Sequence, residues 1–314
     1  MRDTLVKELT KLAEKNKKIV ILAGDIGYKL FDDFTKKFPK RFYNCGVAEA
    51  NMTTVAAGLA LKGFIPVTYT IATFNVYKTI EQIKIDICYP NLGVTVVGVG
   101  SGLSYSDLGS THHAIEDIGL LRTIPNLSIY SPADPIELKA MIPKIIDSKK
   151  PCYLRIGKRG EENVYENNTN IKLNTWNKII SGKKVCLIVT GNIIINAKKA
   201  INNLKRRNIF PSLYSAHSIK PLDEKKLKKI FNKYNHIIII EEHSSIGGLS
   251  GAISEFALNL NLNNKFLSIN TGNSFIVKSG KQLEAIKKIG LDAKSIERKI
   301  VKFLKIWKLV LKIK

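Results

Sequence analysis

The chain has 314 residues, with 50 Lys and Arg against 26 Asp and Glu, which gives a formal net charge of +24. This length predicts two domains, and no apolar run reaches the roughly 18 residues that a membrane span requires. The lysines are scattered through Ile- and Asn-rich sequence rather than clustered with aromatic residues, so they do not predict a nucleic-acid partner, although part of the charge suits phosphorylated ligands.

The first residues include acids and lack an apolar core, which argues against a signal peptide and favours a cytoplasmic location. The four cysteines are widely spaced and form no metal-ligand pair, so we expect buried free thiols.

In the first half of the chain, apolar β-branched runs alternate with helical patterns, which is typical of a parallel-sheet α/β domain. The predicted strands are 19–23, 41–44, 65–69, 94–99, 127–130 and 152–156. The predicted helices are 3–16, 47–61, 74–87, 115–122 and 135–148. We place this first domain at residues 1–160.

Residues 161–180 are polar and rich in Asn, which predicts a linker. A second α/β alternation occupies residues 181–291, with strands at 184–190, 211–215, 236–241 and 265–269 and helices at 196–207, 223–233, 249–260 and 281–289. Residues 292–314 predict a basic amphipathic helix. We favour packing of this helix against its own domain or a partner over contact with a membrane surface.

One carboxylate follows the second predicted strand. Residues 41–52 read Arg-Phe-Tyr-Asn-Cys-Gly-Val-Ala-Glu-Ala-Asn-Met, which predicts a strand, a tight glycine turn and a helix start with Glu49 in its first turn. The ordinary role of an acid at that place is a favourable interaction with the helix dipole.

The segment around Glu49 resembles the GIAEQNM element of the transketolase family, and further motifs follow in the family's order at residues 74–77, 81–83, 102–104, 109–117, 131–134 and 151–155. The resemblance implies two three-layer α/β domains, a pyrimidine-binding thiamine-diphosphate fold followed by a transketolase C-terminal domain. It also implies thiamine diphosphate as cofactor. In the family the residue matching Glu49 bonds the aminopyrimidine ring and activates the cofactor, so Glu49 is predicted to be catalytic.

The family's aromatic cofactor-binding positions fall here on Ile71, Phe74 and Tyr77. The resemblance implies that Phe74 stacks on the aminopyrimidine, that Tyr77 forms the pocket edge, and that Ile71 replaces an aromatic residue. From helical spacing alone, Phe74 and Tyr77 would be core residues.

Four further residues match family positions. His112 matches a histidine that lies near the substrate oxygens and assists proton transfer, so it is predicted to be both catalytic and substrate-binding. Asp25 resembles an aspartate beside the cofactor and the subunit contact, with a strand-end turn as the alternative reading. Arg2 and Lys158 occupy the places of phosphate-binding cations, with a solvated surface as the alternative.

Two positions depart from the family pattern. Gly100 stands where transketolases have a substrate-binding His, and Leu108 stands where they have an Asp that contacts a donor hydroxyl. A site without those polar partners should not read the same sugar hydroxyls. The resemblance implies ketol transfer from a ketose phosphate to an aldehyde or keto-sugar acceptor, with a sugar phosphate or a nucleotide-activated sugar as substrate. The two departures argue against the ordinary pentose-phosphate reaction and favour a related carboligation or ketol transfer to an unusual acceptor, such as a nucleotide-activated sugar.

The Gly-Asp-Gly…Asn element, with which complete transketolases hold the diphosphate and its metal, does not occur in this sequence. The resemblance therefore implies a beta-type chain that needs an alpha-type partner in an α2β2 assembly, with Mg²⁺ or Ca²⁺ ligated by that partner and no metal ligands here. The alternatives are the beta subunit of a thiamine-dependent 2-oxo-acid decarboxylase, a deoxyxylulose-phosphate-synthase-like carboligase, and a non-catalytic scaffold of the same fold.

Overall fold

The structure is a computed structural model that describes residues 1–166, 169–277 and 280–310. Six of the seven strands of the first sheet are parallel: β1 (Ile19–Ala23), β2 (Phe42–Asn44), β3 (Ile65–Ile71), β4 (Thr95–Val99), β5 (Ser128–Tyr130) and β6 (Cys152–Ile156). Their order is β5-β6-β4-β3-β1-β2. Every residue of β1, β3, β4 and β6 is buried, as expected for a parallel sheet that is covered on both faces.

Seven helices cover this sheet: α1 (Arg2–Lys15), α2 (Asp32–Lys37), α3 (Glu49–Leu61), α4 (Ala72–Tyr77), α5 (Ile80–Gln82), α6 (Asp117–Arg122) and α7 (Pro135–Ser148). Apolar residues of α1 and α7 share one hydrophobic core, and those of α3, α4 and α6 belong to another. The first domain therefore has three layers, as predicted.

The prediction of one continuous helix over 74–87 is wrong. After α4 the chain forms the short α5 and then a π-helical segment, Ile83–Cys88. At the break, the Thr79 hydroxyl donates to the Asn75 carbonyl oxygen at 2.7 Å, and such local bonds compete with regular helix geometry. The helix α2 was not predicted.

The second sheet contains β7 (Asn177–Ile180), β8 (Val185–Val189) and β9 (Ser212–Ser215). The chain then forms β10 (Ser218–Lys220), and β11 (His236–Ile240) and β12 (Lys265–Ile269) complete the second sheet. The order is β12-β11-β8-β9-β7, with β7 as an antiparallel edge, whereas β10 joins the first sheet antiparallel to β5. Part of the predicted linker is therefore a strand. The two sheets are also connected, because the consecutive strands β9 and β10 belong to different sheets.

The second sheet carries α8 (Ile194–Lys205), α9 (Glu224–Lys233), α10 (Leu249–Leu258), α11 (Gln282–Lys288) and α12 (Ala293–Val310). Apolar residues of α8 and α12 share one core, and those of α9 and α10 belong to another. The C-terminal helix packs on its own domain, because Ile296 and Ile300 are buried beside α8. Residues 311–314 of that prediction lie outside the described residues.

Over the described part of the chain, no helix has both the length and the apolar character that crossing a membrane requires. All four cysteines are free thiols. Cys88, Cys152 and Cys186 are buried as expected, but Cys45 is only half-buried.

Candidate active site

Glu49 is the first residue of α3 and is 2% exposed. It lies at the carboxyl ends of β1 and β3, the edge at which α/β sheets form their sites. A Cβ atom built on Gly24, just after β1, would lie 3.0 Å from Thr70 Oγ1 and 3.6 Å from Glu49 Cγ. The carboxylate Oε2 of Glu49 lies 3.2 Å from Lys78 Nζ. Simple helix-dipole compensation does not require such burial.

Phe74 is linked to this carboxylate through Lys78. Its ring is half-buried, and Lys78 Nζ, the cation that pairs with Glu49, lies 4.9 Å from its centroid. Ile71 is buried at the end of β3. The structure therefore brings together Glu49, Phe74 and Ile71 around one corner of the sheet.

Tyr77 faces another direction. Its hydroxyl donates to Glu116 Oε2 at 2.5 Å, and burial, together with this hydrogen bond, raises the pKa of the Tyr77 hydroxyl. Tyr77 and Glu116 line a cavity of about 340 Å³ together with Ser110, His113 and Phe275. Tyr77 thus borders a cavity to which Glu49, Phe74 and His112 do not contribute.

His112 follows Phe74 in space. Their ring centroids are 5.1 Å apart with an interplanar angle of 69°. Burial, and after it the charge of His113, lowers the pKa of His112 below its usual 6.5. The imidazole is therefore neutral near pH 7 and can both accept and donate a proton.

Tyr105 continues the row, although the sequence did not single it out. Its ring centroid lies 6.2 Å from that of His112, and Lys158 Nζ lies 4.3 Å from the centroid of Tyr105. The contact between Lys158 and Asp107 is looser, at 4.0 Å. The row thus runs from Glu49 and Phe74 through His112 to Tyr105. We call its two extremes the Glu49 end and the Tyr105 end.

Arg2 belongs to the Tyr105 end. Its Nε donates to the hydroxyl of buried Tyr69 at 3.0 Å. Burial raises the pKa of both Tyr69 and Tyr105, and the charge of Arg2 opposes that shift in both. Arg2 and Lys158, far apart in sequence, therefore lie near the same phenol ring. Leu108, in the same loop as Tyr105, is 49% exposed.

Asp25 lies at the end of β1, towards the edge strand β2. Its carboxylate accepts a hydrogen bond from Asn44 Nδ2 at 3.0 Å. The backbone of Asp25 has a φ of 52°, a left-handed conformation that Asp tolerates in turns. Asp25 and Asn44 line an open groove of about 690 Å³ that also includes Tyr28 and Phe31.

Glu242 of the second domain and Arg155 of the first together fix the loop of residues 100–114, which carries Tyr105 and His112. Glu242, just after β11, accepts a hydrogen bond from the Leu103 amide at 2.7 Å. The buried Arg155 donates to the Ala114 and Glu242 carbonyl oxygens at 2.8 and 3.0 Å, and its Nε pairs with Asp117 at 2.7 Å. Burial raises the pKa of Glu242 to about 7.

These residues fit the aminopyrimidine half of thiamine diphosphate. Glu49 supplies a buried carboxyl group, Phe74 an aromatic face, and Gly24 a position where any side chain would crowd Thr70. Thr70 Oγ1 is buried, and within the described residues it has no hydrogen-bond partner. Over the same residues, no group of three or more His, Cys, Asp or Glu is arranged to hold a metal ion.

Comparison with known proteins agrees with this architecture. Residues 1–160 match the transketolase pyrimidine binding domain, and residues 174–296 match the transketolase C-terminal domain. A solved split-gene transketolase, described as an inactive beta4 tetramer, superposes with a TM-score of 0.87 at 30% identity and covers 97% of each chain.

Relatives of similar length include one of the subunits of the apulose-4-phosphate transketolase of Phocaeicola vulgatus, which is 31% identical over 97% of both chains. The 6-deoxy-6-sulfo-D-fructose transketolase subunit SqwH of a Clostridium species is 32% identical over 81% of this chain and 80% of its own length. The 1-deoxy-D-xylulose-5-phosphate synthase of Aquifex aeolicus is 32% identical over 95% of this chain but only 48% of its own length. The chain therefore belongs to the transketolase family and corresponds to the beta-type subunit of its split members.

Proposed function

We propose that this chain is the beta subunit of a thiamine-diphosphate-dependent transketolase, which moves a two-carbon ketol unit from a ketose phosphate to an aldehyde or keto-sugar acceptor. The observation that carries the proposal is the buried carboxylate of Glu49, at the start of α3, beside Phe74 and in one row with His112. Two relatives described above are named for sugars that carry a phosphate or a sulfo group. The cations Arg2 and Lys158 at the Tyr105 end suit such anionic sugars.

When bound, thiamine diphosphate supplies the carbanion chemistry that breaks and forms the carbon–carbon bond. Glu49 would hold a proton at N1′ of the aminopyrimidine, and Phe74 would pack on the face of that ring. The neutral imidazole of His112 would accept and return a proton at a substrate oxygen. Arg2 and Lys158 would bind the phosphate end of the sugar.

The surface of the first domain supports an alpha-type partner. The helix α3 is apolar on most of its circumference, yet Val55 and Leu61 are 42% and 68% exposed. Tyr28, in the loop between β1 and α2, and Val47, in the loop just before Glu49, are 88% and 74% exposed. Exposed apolar groups of this density are typical of an interface. The inactive beta4 tetramer of the solved relative supports an α2β2 assembly as the active form.

The partner would also supply the diphosphate site and its Mg²⁺ or Ca²⁺. Co-purification with the alpha-type chain, followed by an assay with a ketose phosphate donor and an aldehyde acceptor, tests the proposal. We expect turnover that depends on thiamine diphosphate in the pair and none with this chain alone. Turnover by the isolated chain, or none by the pair with any ketose phosphate, would reject the proposal.

A second candidate is a carboligase like 1-deoxy-D-xylulose-5-phosphate synthase, or a subunit of a 2-oxo-acid decarboxylase. The similarity to the synthase of Aquifex aeolicus and the loss of polar side chains at Gly100 and Leu108 favour it. In this case the same pair would consume a 2-oxo acid and release CO₂ while leaving ketose phosphates unchanged. One donor panel therefore separates the two functions.

A further inference from the structure

The space above Gly100 is occupied by another side chain of the same loop. Gly100 has a φ of +84°, and a Cβ atom built on it would lie 2.1 Å from Cε2 and 2.2 Å from Cδ2 of Tyr105. No side chain at position 100 can coexist with the Tyr105 ring in this place. The missing side chain at Gly100 is thus matched by an aromatic ring that comes from five residues further along the chain.

The position of Tyr105 is fixed by its loop. The Leu108 amide donates to the Tyr105 carbonyl oxygen at 3.0 Å, and the Ser104 hydroxyl donates to the Ser101 carbonyl oxygen at 2.7 Å. Glu242 holds the Leu103 amide from the second domain at 2.7 Å. The ring itself is partly buried and packs against the main hydrophobic core, so it is part of a built wall rather than a free surface side chain.

The surroundings of this ring are cationic. Lys158 Nζ lies over one face at 4.3 Å from the centroid. Burial, and to a smaller extent the charge of Asp107, raises the pKa of Tyr105 above its usual 10, against the opposing charges of Arg2 and Arg159, so at neutral pH the phenol remains protonated and is a hydrogen-bond donor. The cations Arg2, Lys158 and Arg159 outnumber this one carboxylate. A protonated phenol among cations can bind an anion, and its ring offers no polar group to a sugar hydroxyl.

We propose that Tyr105 determines substrate specificity at this site, an inference that rests on the proposed ketol transfer. Its hydroxyl, together with Arg2 and Lys158, binds the anionic terminal group of the substrate, a phosphate or a sulfonate. Its ring closes the position from which a side chain at residue 100 would read a hydroxyl. The site therefore distinguishes its sugar substrates mainly by their terminal phosphate or sulfonate, and less by the hydroxyl group next to the reacting carbon.

The test compares Tyr105→Phe, which removes only the hydroxyl, with Tyr89→Phe, a matched control at a tyrosine that is 85% exposed. Acceptors in the reconstituted pair are glyceraldehyde 3-phosphate and glyceraldehyde, which differ only in the phosphate. We expect Tyr105→Phe to raise KM for the phosphorylated acceptor about tenfold, with kcat and the reaction of glyceraldehyde unchanged. An unchanged ratio of kcat/KM between the two acceptors would overturn the proposal.

A binding measurement keeps this proposal separate from the proposed function. The dissociation constant of unreactive glycerol 3-phosphate should rise about tenfold in Tyr105→Phe and stay constant in Tyr89→Phe, whether or not the pair transfers ketol units. If the wild-type pair shows no ketol transfer, the proposed function fails, and equal affinities of Tyr105→Phe and wild type for glycerol 3-phosphate reject the role of Tyr105.

The steric part has its own test. Gly100→Ala should lower Tm, because the new methyl group meets the Tyr105 ring as well as an unfavourable φ. In the background of Tyr105→Gly the same change should lower Tm much less, since only the backbone strain remains. Equal losses in the two backgrounds would show that the ring does not occupy the space above Gly100.

Discussion

At the Glu49 end of the site the side chains are held by regular secondary structure, whereas at the Tyr105 end Tyr105 and Lys158 lie in loops and Arg2 alone belongs to a helix, α1. Glu49 begins α3 and is 2% exposed, and Phe74 belongs to α4. Tyr105 and Lys158 lie outside the long helices and strands, and the Lys158 side chain is 32% exposed. His112 lies between the two ends.

The two ends differ in how the sequence specifies their geometry. At the Glu49 end, one short segment supplies the strand, the turn and the helix start, so that local sequence specifies the geometry. At the Tyr105 end, the geometry depends on contacts between Arg2, Tyr105 and Lys158, which are distant in sequence. The first arrangement suits the proposed cofactor, thiamine diphosphate, and the second can change with the substrate.

The largest expected effect comes from Glu49→Gln, which tests whether the Glu49 end is the cofactor end. The amide keeps the shape of the side chain but cannot hold the proton that the aminopyrimidine requires. We expect kcat of the reconstituted pair to fall by about 100-fold or more, in the range typical of a lost general acid or base. Steady-state kinetics at saturating thiamine diphosphate measures it.

Glu14→Gln is the matched control for Glu49→Gln, because Glu14 is an exposed residue of α1 that forms an ion pair with Lys37. It should leave kcat unchanged. If Glu49→Gln retained activity within a factor of two, the Glu49 end would have no catalytic role, and the comparison between the two ends would lose its basis.

The fold was predictable where the hydrophobic pattern is periodic and local. The bounds of β1, β6, β12 and α7 agree with the predicted ranges. The strand β10 was missed because its partner, β5, lies almost 90 residues earlier, and three residues carry no periodicity. The break after α4 was missed because it depends on a side-chain bond at Thr79 rather than on Gly or Pro.

The site, too, was predictable only where local motifs specify it. The structure places Glu49, Ile71, Phe74 and His112 close together, as the motif order implied, and their chemical roles remain predictions. Tyr105 could not be identified from sequence, because an aromatic residue in a loop gives no signal of its own. The only indication in the sequence was indirect, the absence of a side chain at Gly100. The folded chain shows that the Tyr105 ring fills the space that such a side chain would take.

A second prediction concerns Glu242, which supports the Tyr105 end. Burial raises its pKa in the folded chain from the usual 4.5 to about 7, with Arg155 and Asp117 as its charged neighbours. The folded state therefore holds a proton that the unfolded state releases, so this contribution to stability is full below pH 4.5 and is lost as pH rises through 7. The slope within that window approaches about 1.4 kcal/mol per pH unit.

Glu242→Gln keeps the bond to the Leu103 amide and removes the titration. Chemical unfolding between pH 5 and 8 should therefore show that wild type loses stability relative to this variant as pH rises. Glu255→Gln serves as the control, since the Glu255 side chain is 66% exposed. If the stability of wild type and of Glu242→Gln changed in parallel over this range, Glu242 would not be the titrating group.

A third, smaller effect should come from Lys78→Met at the Glu49 end. The ammonium group lies 3.2 Å from the Glu49 carboxylate and the Lys78 side chain is 51% exposed, so the pair contributes at most about 1 kcal/mol. A carboxylate that is free of this pair is more available to the cofactor. We expect the dissociation constant of thiamine diphosphate in the reconstituted pair to fall by up to about fivefold.

Calorimetric titration of Lys78→Met with thiamine diphosphate, beside the exposed control Lys62→Met, measures this change. Weaker binding by Lys78→Met would mean that Lys78 contacts the cofactor itself and belongs to the binding residues of the Glu49 end.

The smallest predicted effect concerns His112, which joins the two ends. Burial and, after it, the charge of His113 lower the pKa of His112, whereas the charge of Asp107 raises it. Because the neutral imidazole is the proposed active form, activity should fall as pH drops through the pKa of His112.

Two variants test this assignment. His113→Gln removes the like charge, so the acidic limb of kcat/KM should move to higher pH by a fraction of a unit. Asp107→Asn should move it to lower pH. The two variants should therefore move the acidic limb in opposite directions, whereas a general loss of stability would move it in the same direction in both. If neither limb moved, the titrating group would not be His112, and the proton transfer would have to come from elsewhere in the row.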